Sequence, residues 1–471
     1  MITLLRHPRA NVIIPAFIAG TLAIILPAGA FAIALAVVAL LAIVAAWPFF
    51  GWSLVVLVYP FIYLQLFLGQ TMNVPYVDLL AMATFIGVAI RTVAVRWQGS
   101  ASVRFATIFR SLRGLTGLLP FLAFLAVAVL SLQNVEEVAL GIKYLLRPLL
   151  FFYLMYVALP LLVVNSPRRL FVTFRLLFAV GIAVAAMGVW SLIFPPEPGA
   201  FRRAVPIVMF GMTPLGTNHN LIAEVLVSVI PIGFLLAAFS RERARRWYVV
   251  GTCALALVTL LTFSRNGWLT LSAEVAILLI AFARERGLTF KRIVLLALPL
   301  VALVALAVGV FSMTTVARSS NINRLRLTEI ALAQFRAHPL VGGGVGTFME
   351  TVSRDRWYIA DFGKPQEAHG LVQKLLAETG ALGLITFLWL LVAVVHRLLD
   401  VYRRATVSPA WRLILLALLL SAAGSIIFQL FNTSYFVSKM WLPLGIALAA
   451  ARLAEQGIAL RTDGSIDART S

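Results

Sequence analysis

The chain has 471 residues, 62% apolar and 12% charged, with 39 Lys or Arg against 18 Asp or Glu and a formal net charge of +21. With a mean hydropathy of +0.98, that composition excludes a water-soluble globular domain and makes the charge a matter of membrane topology, not of nucleic-acid binding. The single cysteine, Cys253, excludes an internal disulfide and leaves no cysteine metal site to argue from.

In chain order, apolar runs lie near 11–27, 29–47, 50–69, 77–94, 115–132, 143–164, 170–194, 219–239, 247–264, 267–283, 291–313, 381–398, 411–430 and 434–452. Each approaches the roughly 20 residues that a helix needs to cross the hydrocarbon core, and the shorter alternating segments of a β-barrel are absent. The fold class is therefore an all-α polytopic membrane protein with about twelve, and up to fourteen, transmembrane helices. The first run follows Arg6, His7 and Arg9 and has no small-residue cleavage site, so it reads as a retained span. The expected layout is transmembrane helices over 1–313, including an external loop at 195–218. A helical external segment at 314–380 separates the fourth-last span from the third-last. C-terminal spans over 381–453 and a polar tail at 454–471 complete it.

Most basic residues fall in short connections on one side: Arg6 and Arg9, Arg91 to Arg113, Arg168 and Arg169, Arg241 to Arg246, Arg284 to Arg292, and Arg397 to Arg412. That is the positive-inside pattern, and it puts both termini in the cytoplasm. The cations it does not explain fall on the other side: Arg202 and Arg203, Arg265, several in 314–380, and Lys143 and Arg147. An ionisable side chain at membrane depth costs about 2.5–3.5 kcal/mol on insertion scales, so it faces a cavity or a partner. The partner is either an acid of the chain itself, with Glu136, Glu137, Glu224 and Glu274 available, or an external anion.

Four stretches carry candidate chemistry. "GTNHNLIAE" (216–224) places Asn218, His219 and Asn220 at the outer mouth of a span, where they either cap the helix or meet sugar hydroxyls. "NINRLRLTEIALAQFRAHPL" (321–340) has the spacing of an amphipathic helix ended by Pro339, with Leu325, Ile330 and Phe335 on its apolar side. Such a helix lies on the membrane surface or covers a cavity. "HPLVGGGVGTF" (338–348) is glycine-rich but lacks the lysine of a P-loop, so it reads as a tight turn, with His338 at the helix end. "EAHGLVQKLLAETGALG" (367–383) puts His369, Gln373, Leu376 and Gly380 on one face if it is helical throughout. The five histidines are scattered, and no metal-ligand spacing emerges.

The motifs "LTFSRNGWL" (261–269), "AHPLVGGGVGTF" (337–348) and "EAHGLVQKLLAETGALG", in that order on a many-span chain, resemble the superfamily of O-antigen ligases, O-antigen polymerases and bacterial O-oligosaccharyltransferases. The resemblance covers about residues 210–400. His369 and Gly380, with ten residues between them, match its ligase-like spacing. The resemblance implies a GT-C-like glycosyltransferase of a Gram-negative inner membrane, with a periplasmic active site and neither metal nor other cofactor. Its implied substrates are an undecaprenyl-diphosphate-linked O-antigen donor and a lipid A–core acceptor. On that chemistry Arg265, Arg147, Lys143, Arg202 and Arg203 are expected to bind the diphosphate, and His369 to act as general base. Gln373, Asn218, His219 and His338 are weaker candidates for sugar contacts, and Gly380 and Gly383 have structural roles. An inverting outcome is expected from one base and direct displacement. A polymerase of the superfamily is the near alternative. A transporter of a lipid-linked anionic saccharide is the alternative of another class.

Overall fold

A computed structural model describes residues 28–68, 72–98, 115–195, 201–285, 315–404, 406–432 and 435–458, with scattered positions between 286 and 314. The expected first span (11–27), most of the 291–313 span and the polar tail lie outside the described residues. What is described is mostly helical. Six helices are long and apolar enough to cross a membrane, or seven if one bent pair counts as a span. The twelve to fourteen expected from hydropathy are not reached among the described residues.

The bent pair is α1 (Ala28–Ala46) and α2 (Pro48–Val58), which meet at 113°. Pro48 dictates the break, since it lacks the N–H that would continue α1 and is well suited to the first turn of a new helix. The apolar run at 50–69 is thus not one span. After α2 the chain forms a two-stranded antiparallel hairpin, β1 (Gln65–Leu68) and β2 (Met72–Pro75), in which Gln65 faces Pro75 and Phe67 faces Asn73. Helix α3 (Tyr76–Gln98) follows, then α4 (Leu118–Ser131). Residues 138–163 form a run of α- and π-helical turns, with Pro148 and Pro160 removing two backbone donors from it.

Four of the six span-length helices are α5 (Pro167–Ile193), α6 (Asn220–Ala238), α7 (Glu242–Leu261) and α8 (Arg265–Glu285). Serine caps start two helices: Ser166 accepts from the Arg169 N–H ahead of α5, and Ser408 from the Trp411 N–H ahead of α13 (Pro409–Gln429). Between α8 and α13 lie α9 (Thr315–Ala337), α10 (Phe348–Arg354), α11 (Arg356–Phe362) and α12 (Leu371–Arg403). The last helix, α14 (Ser438–Glu455), is buried along nearly its whole length, like α6. Its Gly445 lets the backbone meet the 138–163 run, since a Cβ there would sit 1.9 Å from the Tyr156 carbonyl oxygen. Trp441 stacks on Phe152 at 4.7 Å and meets Phe387 edge-on at 5.8 Å, so aromatic rings fill the centre.

Two sequence expectations on the outer segment change. The apolar side of α9 is Leu327, Ile330 and Ala331, which pack with Phe348, Val352, Tyr358 and Ala368 in a small core of their own, whereas Leu325 is 63% exposed. The helix therefore packs against the rest of the outer segment. The second change concerns α12, which is not continuous: Gly380 takes φ 67° and ψ −167° and interrupts it. His369 lies before the helix begins, so it shares no helical face with Gln373 and Gly380.

The glycine-rich loop explains how the interruption is stable. Backbone N–H groups of Gly343 and Gly344 donate to the carbonyls of Ala377 and Glu378 at 2.8 and 3.0 Å. Those of Ala381 and Leu382 donate to Pro339 and Leu340 at 2.9 and 3.1 Å. The loop thus supplies partners that the broken helix lost. "VGGGVG" is a brace, with Gly342 to Phe348 all buried, and not a phosphate cradle.

Candidate functional site

The stretch "LTFSRNGWL" makes a tight turn at one end of the bundle. Phe263 adopts φ +53°, uncommon for a bulky residue, and its ring packs against Phe201 at 4.9 Å. The Ser264 hydroxyl accepts from the Gly267 N–H at 3.1 Å and donates to Asn220 Oδ1 at 2.7 Å. That one hydroxyl caps α8 and ties its start to the start of α6. Gly267 makes the approach close enough, since a Cβ there would come within 2.9 Å of Ala223. Arg265, first residue of α8, and His219, the residue before α6, are thereby brought to the same place.

Helix α9 closes over this turn. Arg265 donates to Asn321 Oδ1 at 2.6 Å. Asn323 donates to Gln366 Oε1 at 2.9 Å and accepts from the Tyr358 hydroxyl at 2.8 Å. These bonds fix Arg324, the next residue, and seat the 364–370 stretch that carries His369. Two residues before the histidine, Glu367 accepts from Lys374, a lysine only 1% exposed, at 2.5 Å. The stretch leading to His369 is therefore held at Gln366 and at Glu367.

Charge at this place is lopsided. His219 feels Arg203, Arg324 and Arg265; burial first, then these three cations, pull it from its ordinary 6.5 to about 3. His369 is brought to about 4, chiefly by burial and then by Arg324, against an upward pull from Glu367. Arg324 itself is lowered by burial and then by Arg265, and Arg203 by burial. Among the described residues neither Arg203 nor Arg324 has a carboxylate partner. Of the acids that might have neutralised them, Glu224 is engaged with Lys439 at 2.6 Å, Glu136 with Arg354 at 2.6 Å and Glu367 with Lys374, while Glu274 is buried along α8 without a hydrogen-bond partner among the described residues. Guanidiniums that, for Arg203 and Arg324, face no carboxylate among the described residues, set beside two neutral imidazoles, could hold an oxyanion. No group of three or more metal-ligating side chains occurs among the described residues.

Not every expected residue joins the site. Arg202 is exposed beside Arg203. Lys143 lines a separate polar cavity with Tyr63 and Glu367, and does not stand with the arginines. The Arg147 side chain lies outside the described residues. Asn218 caps α6 by accepting from the Asn220 N–H at 2.9 Å. His338 is exposed at the end of α9, where its backbone N–H and carbonyl serve the turn. Gln373 folds back over Gly370, and Gly383 packs on the Thr379 side chain. Arg324, Asn321 and Glu367 were not singled out by sequence. The signal that pointed to them was present in "NINR" (321–324), three polar residues in the first half of an amphipathic helix, and in the acid two places before His369.

Residues 250–388, from α7 to the first turns of α12 beyond Gly380, match the family model described as O-antigen ligase. Over that segment, less than a third of the chain, the protein is similar to the O-antigen ligase family. Within it fall Arg265, Arg324, the glycine brace and His369; Arg203 and His219 reach the same site from outside it. No curated protein matches the chain.

Proposed function

We propose that the protein is an O-antigen ligase, a GT-C-like enzyme that moves O-antigen polysaccharide from undecaprenyl diphosphate to a sugar hydroxyl of lipid A–core. Its place on this reading is the inner membrane of a Gram-negative bacterium, with the arginine-bearing end in the periplasm and the basic end, Arg168 to Arg169 and Arg241 to Arg246, in the cytoplasm. The observation that carries the reading is the convergence of Arg203, Arg265 and Arg324 on His219, beside His369, with the nearby carboxylates committed elsewhere.

A diphosphate is already a good leaving group, so neutralising its charge matters more than protonating it. Guanidinium forks match phosphate oxygens two at a time and stay charged even when half-buried. In the proposed step the acceptor oxygen attacks the anomeric carbon as the bond from that carbon to the diphosphate oxygen breaks. The bonding pair leaves with the diphosphate, held by the arginines. The hydroxyl proton passes to His369, which is neutral at pH 7 and free to accept it. Direct displacement of this kind inverts the anomeric centre.

Purified protein mixed with undecaprenyl-diphosphate glycan and lipid A–core is expected to yield a larger lipid A–linked product. Elongation of the diphosphate-linked chain instead would identify a polymerase, and an unchanged glycan pool would overturn both.

A further inference from the structure

Next to the arginine cluster lies a cavity of about 500 Å³ with the opposite chemistry. Its walls include Tyr63, Gln65, Asn73, Asp78, Tyr144 and Glu367. The hairpin supplies the amides: Gln65 and Asn73 sit on one face, diagonal across the register, and Asn73 Nδ2 donates to Gln65 Oε1 at 2.5 Å. Asp78, in the first turn of α3, accepts from the Tyr156 hydroxyl. Tyr144 is seated because Gly346 has no Cβ, which would fall 2.3 Å from its ring.

The volume lies in the range of small-molecule pockets, about 300–1,000 Å³. Lys143 is the cavity's one cation against two carboxylates, Asp78 and Glu367. With Glu367 already offset by Lys374 at 2.5 Å, the lining has no surplus of cations to hold a diphosphate, whereas the arginine cluster does. A neutral polyol fits the lining: amides and carboxylates pair with vicinal hydroxyls, and tyrosine rings pack against the C–H faces of a pyranose. Glu367 joins the two places. Its carboxylate borders the cavity, lies two residues from His369, and acts on that imidazole against Arg324.

We propose that this cavity binds the acceptor saccharide, with its terminal hexose between the β1–β2 hairpin and Glu367 and its reacting hydroxyl directed to His369. The proposal rests on the ligase reading for the word acceptor, but not for the binding of a saccharide. Donor and acceptor then approach the histidine from opposite sides, one on arginines and one on amides and acids. Asn73 and Gln65 are specificity-determining residues that take no part in proton transfer.

The test measures Asn73→Ala and Gln65→Ala separately in the full-length protein. With donor saturating, KM for lipid A–core is expected to rise tenfold or more in each, with donor KM unchanged and kcat within about twofold. An unchanged donor KM doubles as the control for folding. In parallel, delipidated core oligosaccharide is titrated into His369→Ala protein by calorimetry, and binding is expected to weaken equally when Asn73→Ala is added. Unchanged acceptor KM, a raised donor KM, or oligosaccharide binding indifferent to Asn73 overturns the proposal. Oligosaccharide binding that depends on Asn73, with no transfer by any variant, supports the cavity while removing the ligase reading.

Discussion

His369 and Arg324 are coupled through one imidazole, and the coupling fixes a pH profile. A base must be neutral to accept a proton, and His369 holds its neutral form until the pH falls through about 4. Transfer is therefore expected to be flat from pH 8 to about 5 and to decline below that, where an unperturbed histidine would already fail near 6.5. Arg324→Ala removes the second cause of the depression, so the acid limb moves upward. It also costs about 10²–10³-fold in kcat for the lost contact to the leaving group. His369→Ala is expected to lower kcat by about 10²–10⁴-fold, and His219→Gln by clearly less, with the three rates compared at pH 7. Arg265 and His369 could be picked out as candidates from the sequence because a charge outside the positive-inside pattern and a histidine in a recognised motif both stand out locally. Arg324 could not, because on an amphipathic helix a polar face reads as solvated whether it meets water or a buried cleft. Lys143 lines a different cavity from the arginines, which sequence could not show, because which of two cavities a side chain enters depends on tertiary packing.

At the scale of elements, the brace between the 339–344 loop and the α12 interruption sets what the chain tolerates. Gly342 has φ +75°, and a Cβ there would lie 2.3 Å from the Glu378 carbonyl carbon, which is backbone and cannot swing away. Overpacking of that kind costs about 1–3 kcal/mol. Gly342→Ala is expected to lower the thermal midpoint in detergent, whereas Gly363→Ala, also at positive φ but with open space around it, shifts it less. Glycine richness was visible in the sequence; its partner was not, because the partner is backbone some 35 positions away. The hairpin at 65–75 was hidden in the same way. "FIYLQLFLG" is apolar enough for a span, and a short apolar run does not say whether it is helix or strand.

At the scale of the molecule, α6 and α14 are joined by a pair removed from water. Lys439 and Glu224 are 1% and 2% exposed, and Gln429 donates a further bond to the glutamate at 2.5 Å. Breaking such a pair by removing one member costs about 3–5 kcal/mol, while replacing both by apolar groups is often neutral. Glu224→Ala is expected to give poorly folded protein by size-exclusion chromatography, and Glu224→Leu with Lys439→Met to restore much of the folded fraction. Composition was enough to place this chain in a membrane, and hydropathy found most of the spans that the structure describes. It set run boundaries at both Pro48 and Gly380, but a boundary carries no angle and does not say that helix continues across it, so neither the 113° elbow nor the interruption inside α12 could be read from it. That break has an evolutionary corollary. A seam sewn main chain to main chain asks for little side-chain identity beyond its glycines, so a segment that spans 339–382 is expected to be exchangeable as one piece. The exchange works provided the donor carries both lips of the seam; cutting between them would leave two orphaned edges.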